Sequence, residues 1–278
     1  MQILNRGSKT QGIASRGLTT KGFTLIELIT VMVILGVVAA IGSRFVVTTI
    51  DSYASVQERS KLINKGRLVI EQMTRQLRIA LPNSVRVSAS GNCVEFLPIV
   101  AGASYLTDVS DTENLAPLTS NIATAPFSLG VGSAQHVVIG ALAENEIFTT
   151  GSPGSRVAIG ALGAGPHYSA APLASSHRFD RNSITKRVFI TDNPLRFCVV
   201  GLNVVRYSAY GLLTSPLDDL DPGGAIDLMA EGVSSATVAF TLSLGSEDVN
   251  AAIDINMQFS QGSNQVNLKQ QVLVRNVP

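Results

Sequence analysis

The chain has 278 residues with 21 Lys and Arg against 20 Asp and Glu, a formal charge of +1, and only 15% of its residues are charged. That near balance excludes a bulk nucleic-acid binder, and the length admits one or two domains. The charge is uneven: four basic residues (Arg6, Lys9, Arg16, Lys21) fall in the first 22 positions, leaving 17 bases against 20 acids, a net of −3, in the remainder.

No acid precedes Glu27, and from Phe23 to Ile41 Glu27 is the one charge in an apolar run. Phe23 to Ser43 is long enough to span about 30 Å of hydrocarbon at about 1.5 Å per residue. An ordinary secretory signal puts its apolar region before the cleavage point and loses it. Here the basic stretch comes first, and the positive-inside tendency keeps it in the cytoplasm while sending the C-terminal bulk across the inner membrane. Residues 21–27 read Lys-Gly-Phe-Thr-Leu-Ile-Glu. That order resembles the type III signal of the type IV pilin and pseudopilin superfamily. The resemblance implies cleavage after Gly22 by a prepilin peptidase, N-methylation of Phe23, and a polymer subunit that needs no cofactor. It implies as partners that peptidase, other major and minor pilins, the inner membrane and the pilus assembly platform, with no nucleic acid expected.

A carboxylate inside a membrane helix costs about 2.5–3.5 kcal/mol, less near its edge. Two compatible roles offset the cost of Glu27. Thr24-Leu25-Ile26-Glu27 has the form of a capping box, in which Glu27 reaches back to its own helix start. In the pilin superfamily this acid instead pairs with the terminal amine of a neighbouring subunit, here that of Phe23.

The helix is expected to run on to Ala80, since residues 45–80 lack proline and Ile63, Gly66, Ile70, Met73, Leu77 and Ala80 recur as one stripe. Leu81-Pro82 then stops it. Glu71 and Arg75 are ordered for an i,i+4 pair. Arg59, Lys61, Lys65, Arg67, Arg75 and Arg78 make this stretch basic, as a solvated face does. Gly36 and Gly42 weaken the apolar half by about 1 kcal/mol each relative to alanine.

Beyond Pro82 the period changes to two. Val85 and Val87 lead through a Gly91-Asn92 turn into Cys93-Val94-Glu95-Phe96. Residues 101–175 read as loops with short strands at Val137–Ile139 and Val157–Ile159. Further strands are expected at Arg187–Thr191, Phe197–Val200, Val204–Ser208 and Thr237–Leu244. Ile253, Ile255, Met257 and Phe259 alternate with polar residues before a turn at 261–264 and a returning strand, Val266–Val274. The fold class is therefore α+β, a long N-terminal helix on an antiparallel β head. The division expected is a leader (1–22), a membrane or filament-core helix (23–43), an amphipathic helix (44–80) and a periplasmic head (81–278).

Cys93 and Cys198 lie beyond the membrane run. In an oxidising periplasm the pair reads as a disulfide, closing a loop for which chain entropy gives roughly 4–5 kcal/mol; the other reading is two separate buried thiols. Asp218, Asp219 and Asp221 precede Pro222-Gly223-Gly224. Calcium takes such oxygens, but the stretch is also a plain turn signal without EF-hand spacing, and no metal is expected. His136, His167 and His177 lack metal-ligand spacing. Ser183-Ile184-Thr185-Lys186 matches Ser-x-x-Lys without its companion motifs.

Leu81-Pro82-Asn83-Ser84-Val85-Arg86-Val87, Cys93 to Ile99, Phe197-Cys198-Val199, Arg206 to Gly211 and Val274-Arg275-Asn276-Val277-Pro278 narrow the resemblance. They are similar to large minor pilins of the mannose-sensitive haemagglutinin (MSHA) type, which implies a filament subunit that primes or caps a pilus for surface attachment. J-type pseudopilins of type II secretion share this layout. A membrane-anchored periplasmic enzyme is a third class, opposed by the want of a catalytic constellation.

Overall fold

The computed structural model describes residues 22–234, 238–243 and 251–274. The basic leader, the ends of the expected strand Thr237–Leu244 and the closing Arg275-Asn276-Val277-Pro278 lie outside the described residues. Two units divide the chain, one reaching Ala54 and the other beginning at Ser55. The fold is α+β, an N-terminal helix followed by antiparallel sheets.

Helix α1 covers Leu25–Leu77, starting two residues later and ending three earlier than the sequence pattern suggests. Ala80 leaves the helix because it pairs with Pro98, while Leu81 donates its amide to the Leu97 carbonyl at 2.7 Å. Residues 22–61 are all exposed. Within the second unit, the helix buries Leu62, Gly66, Val69, Ile70, Met73, Thr74 and Leu77. Ile63, expected in that stripe, is only half-buried; the buried face is centred on Leu62, Gly66, Val69 and Met73, which puts Ile63 at its margin.

The strands follow in chain order: β1 (Arg86–Val87), β2 (Cys93–Phe96), β3 (Ile99–Ser104), β4 (Thr119–Phe127), β5 (His136–Val138), then a short helix α2 (Glu144–Phe148), β6 (Arg156–Ala158), β7 (Tyr168–His177), β8 (Arg187–Thr191), β9 (Leu195–Val200), β10 (Asn203–Ser208), β11 (Ala225–Glu231), β12 (Val233–Ser234), β13 (Phe240–Ser243), β14 (Ala251–Gln261) and β15 (Asn264–Val274). Among the described residues, one sheet has the order β1-β2-β9-β10-β11, and in a second β14 carries β15 on one edge and β12 and β13 on the other. Both sheets line one core with the second half of α1: Val94, Phe96, Phe197, Val204, Ile253, Ile255, Met257 and Phe259 meet Leu62, Val69, Met73 and Leu77. In β14 the apolar residues face inward and the polar ones outward without a break, as strict alternation requires.

Residues 101–175 are mostly loop, as the composition suggests, yet they also hold strands that the local pattern does not show. β3-β8-β5-β6 form a third sheet, β4 and β7 pair over nine and ten residues, and a separate core of Tyr105, Ile122, Phe127, Val137, Phe179 and Ile190 lies between them. Ala, Ser, Thr and Pro supply much of β4 and β7, and Pro126 and Pro172 sit within them. These residues carry weak strand propensity, so pairing and burial, not intrinsic preference, make the strands. β11 is likewise a strand without a strong local pattern, held by its pairing with β10.

Gly66 marks the tightest helix–sheet approach. A Cβ there would lie 2.5 Å from Leu268 Cδ1 and 2.9 Å from Phe259 Cε2. Gly66→Val should therefore destabilise the second unit by about 1–3 kcal/mol through overpacking, read as a lower urea midpoint with unchanged slope. An unchanged or raised midpoint would contradict this packing.

Candidate functional site

Thr24 is the N-terminal cap of α1. Its Oγ1 accepts from the Glu27 amide at 3.3 Å, and its carbonyl accepts from the Leu28 amide at 3.2 Å. The reciprocal arm of the expected capping box is not formed: among the described residues the Glu27 carboxylate makes no hydrogen bond or ion pair. Glu27 therefore stands without a side-chain partner among the described residues, on the exposed apolar first part of the helix. Gly22 and Phe23 precede it, also exposed. The helix is long and apolar enough to cross a membrane, and an exposed apolar surface of this extent has no place in water.

Cys93 and Cys198 form a disulfide, and they are directly opposed residues of β2 and β9 with Cα atoms 4.2 Å apart. Both are fully buried. One step along the same face, Glu95 faces Arg196. Fully buried Glu95 accepts from Arg196 Nε at 3.1 Å and Nη2 at 3.0 Å, from Arg86 Nε at 2.6 Å, and from the Tyr210 hydroxyl at 2.7 Å. The remaining guanidinium donors reach Ser215 and Leu213 carbonyls from Arg86 and the Leu220 carbonyl from Arg196. Burial, then the Glu95 charge beside it, pushes the Tyr210 hydroxyl pKa well up, so it stays a donor. This network ties the 210–220 segment onto the disulfide face. Sequence reading missed it, although alternation along Cys93-Val94-Glu95 and Arg196-Phe197-Cys198 puts both charged residues on the cysteine side.

The acidic loop is spent on the same fastening. Asp218 pairs with Arg196 at 3.4 Å, Asp219 accepts from Ser90 and Asn92, and Asp221 accepts from the Gly223 amide at 2.8 Å. Among the described residues no group of three His, Cys, Asp or Glu side chains is disposed to hold a metal. His136 takes Arg156 Nη1 at 3.2 Å on Nδ1 and is pushed down to about 4 by burial and that guanidinium. His177 meets the Gly154 carbonyl at 2.7 Å. Ser183 and Lys186 do not form a nucleophile–base pair: Lys186 pairs with Asp108 at 3.2 Å, and Ser183 Oγ accepts from the Arg187 amide. On α1 the Glu71–Arg75 pair forms at 3.1 Å with both side chains exposed, a contact worth a few tenths of a kcal/mol. Arg59, Lys61, Arg67 and Arg78 are exposed with it, and Lys65 donates to the Glu231 carbonyl.

Residues 19–43 match the prokaryotic N-terminal methylation motif. The chain thus carries a prepilin-type methylation motif at the start of α1. It is also 38% identical over 72 residues to the pilin-like protein PilA3 of Thermus thermophilus, a match that spans 26% of this chain and 30% of that protein. No solved structure matches the chain. The motif and this relative support the pilin superfamily.

The Glu95 network yields a prediction for the head. Removing its acid leaves buried Arg86 without a carboxylate and Arg196 with only the half-exposed Asp218, a loss of about 3–5 kcal/mol. Glu95→Ala should lower stability by that amount in guanidinium unfolding, and Glu95→Gln, which keeps acceptors, by less. A loss under about 1 kcal/mol for the alanine variant would show that the network does not hold the segment.

Proposed function

We propose that this chain is a structural, non-catalytic pilin subunit. The observation that carries the proposal is the methylation motif, whose apolar stretch from Phe23 to Ser43 is exposed and whose one acid there, Glu27, has no side-chain hydrogen-bond or ion-pair partner among the described residues. On this reading a prepilin peptidase cuts between Gly22 and Phe23 and methylates Phe23. The precursor sits in the inner membrane with its leader in the cytoplasm and its head in the periplasm. The assembly platform then moves it into a filament of other major and minor pilins. The apolar helix serves in both places because lipid and a bundle of like helices are equally dry surroundings. In either, the Glu27 carboxylate is costly until it meets a cation, and the Phe23 amine of a neighbour supplies one.

More narrowly, the head segments similar to MSHA-type minor pilins support a low-abundance subunit that primes or caps a pilus used for surface attachment. A J-type pseudopilin of a secretion tip uses the same N-terminal chemistry.

Substitution at Glu27 tests the assembly step. Thr24 already caps the helix, so Glu27→Gln should be inserted and processed normally, yet its fraction in sheared pili relative to membrane should fall at least tenfold. Glu27→Ala should fall as far. Normal incorporation of both variants would sink the assembly role, and recovery of wild type with secretion-tip proteins instead of pili would favour the pseudopilin.

A further inference from the structure

Strand β15 is an edge. Its pairing with β14 runs through all eleven residues, from Asn264 with Gln261 to Val274 with Ala251, and no other described strand pairs with it. A groove of about 570 Å³ runs between the middle of β15 and the second half of α1. The helix wall carries Arg67, Glu71, Thr74, Arg75 and Arg78, and the strand wall Leu268, Lys269 and Gln270. Three arginines lie with one carboxylate on the helix wall, where Glu71 is already paired with Arg75, and Lys269, opposite Asn256, adds a cation on the outward face of the sheet. Arg67, Arg78 and Lys269 are exposed, and Thr74 is buried with a side-chain oxygen that has no hydrogen-bond partner.

We propose that this groove is a docking site for an extended acidic segment of another protein, which adds a strand to β15 and sets its carboxylates against Arg67, Arg78 and Lys269. Two features select that occupant. An unpaired edge of eleven residues, about 37 Å long, offers a repeating row of N–H and C=O groups that an extended peptide satisfies along its length. The flanking helix positions 67, 71, 74, 75 and 78 fall on one face, so one wall of the groove carries three arginines against one already paired carboxylate. A second copy does not fit. Joining two β15 edges in antiparallel fashion leaves both helices on the same face of the joined sheet, and brings two cationic walls together. Anionic lipid satisfies the charges but not the backbone row. The proposal concerns the second unit alone and stands whether or not the chain is processed or polymerised.

The test uses the full chain in neutral detergent and a panel of fluorescent 11-residue peptides with Glu at every second, third or fourth position and Thr or Val between. At least one should bind, weaken more than tenfold between 50 and 300 mM salt, and slow hydrogen exchange at alternate β15 amides. Its counterpart with N-methylated alternate peptide nitrogens should lose at least tenfold in affinity, as should the R67E/R78E double variant, whose unchanged thermal unfolding shows it folded. A Lys-for-Glu peptide should not bind. The proposal is overturned if no acidic peptide binds, or if the N-methylated peptide binds as well as its parent. It is equally overturned if vesicles of phosphatidylcholine with phosphatidylglycerol, and not the peptides, engage Arg67 and Arg78.

Discussion

The pairing of β2 with β9 is the constraint on which the second unit depends. It joins segments about a hundred residues apart, and it is fixed twice on one face: by the Cys93–Cys198 bridge and by Glu95 opposite Arg196. The opposite face of the same two strands presents Val94, Phe96 and Phe197 to the helix. A one-residue slip would exchange these faces, setting charges against the helix and apolar side chains against the 210–220 segment. The covalent bond and the buried carboxylate exclude that slip together. A chain-entropy contribution of roughly 4–5 kcal/mol for a loop of this size is therefore only part of what the bridge does.

Between β2 and β9 the chain builds something nearly independent. The core that contains Tyr105, Phe127 and Phe179 draws every member from residues 101–190. A smaller cluster, with Leu81, Leu97, Val138 and Phe148, joins it to the rest. The bridge thus closes a loop that in the native state carries a core of its own.

The legibility of the sequence followed the strength of local pattern. The apolar helix, the alternation of Ile253, Ile255, Met257 and Phe259, and the strand Arg187–Thr191 were readable because burial imposes a period on each. Residues 119–127 and 168–177 were not. Their Ala, Ser and Thr content and internal prolines leave no period to read, and their strands exist through pairing with each other. The helix end was misjudged by one turn because Ala80 suits a helix and a bridge alike. At the N-terminus, composition and motif pointed to Glu27, and the fold shows that Thr24 caps the helix without help from that carboxylate. The Glu95 cluster was legible in principle, since alternation sets it beside the cysteines, but charge in a short strand ordinarily means exposure.

The proposed assembly step reduces to one condition: a cation must reach Glu27, and the Phe23 amine proposed for that role would exist only once the basic leader is removed at Gly22. Intact-mass and N-terminal fragment analysis of the chain extracted from its native membrane tests this most directly. The account predicts a mature protein beginning at N-methylated Phe23. A protein that keeps its leader, or begins at any other residue, would contradict it.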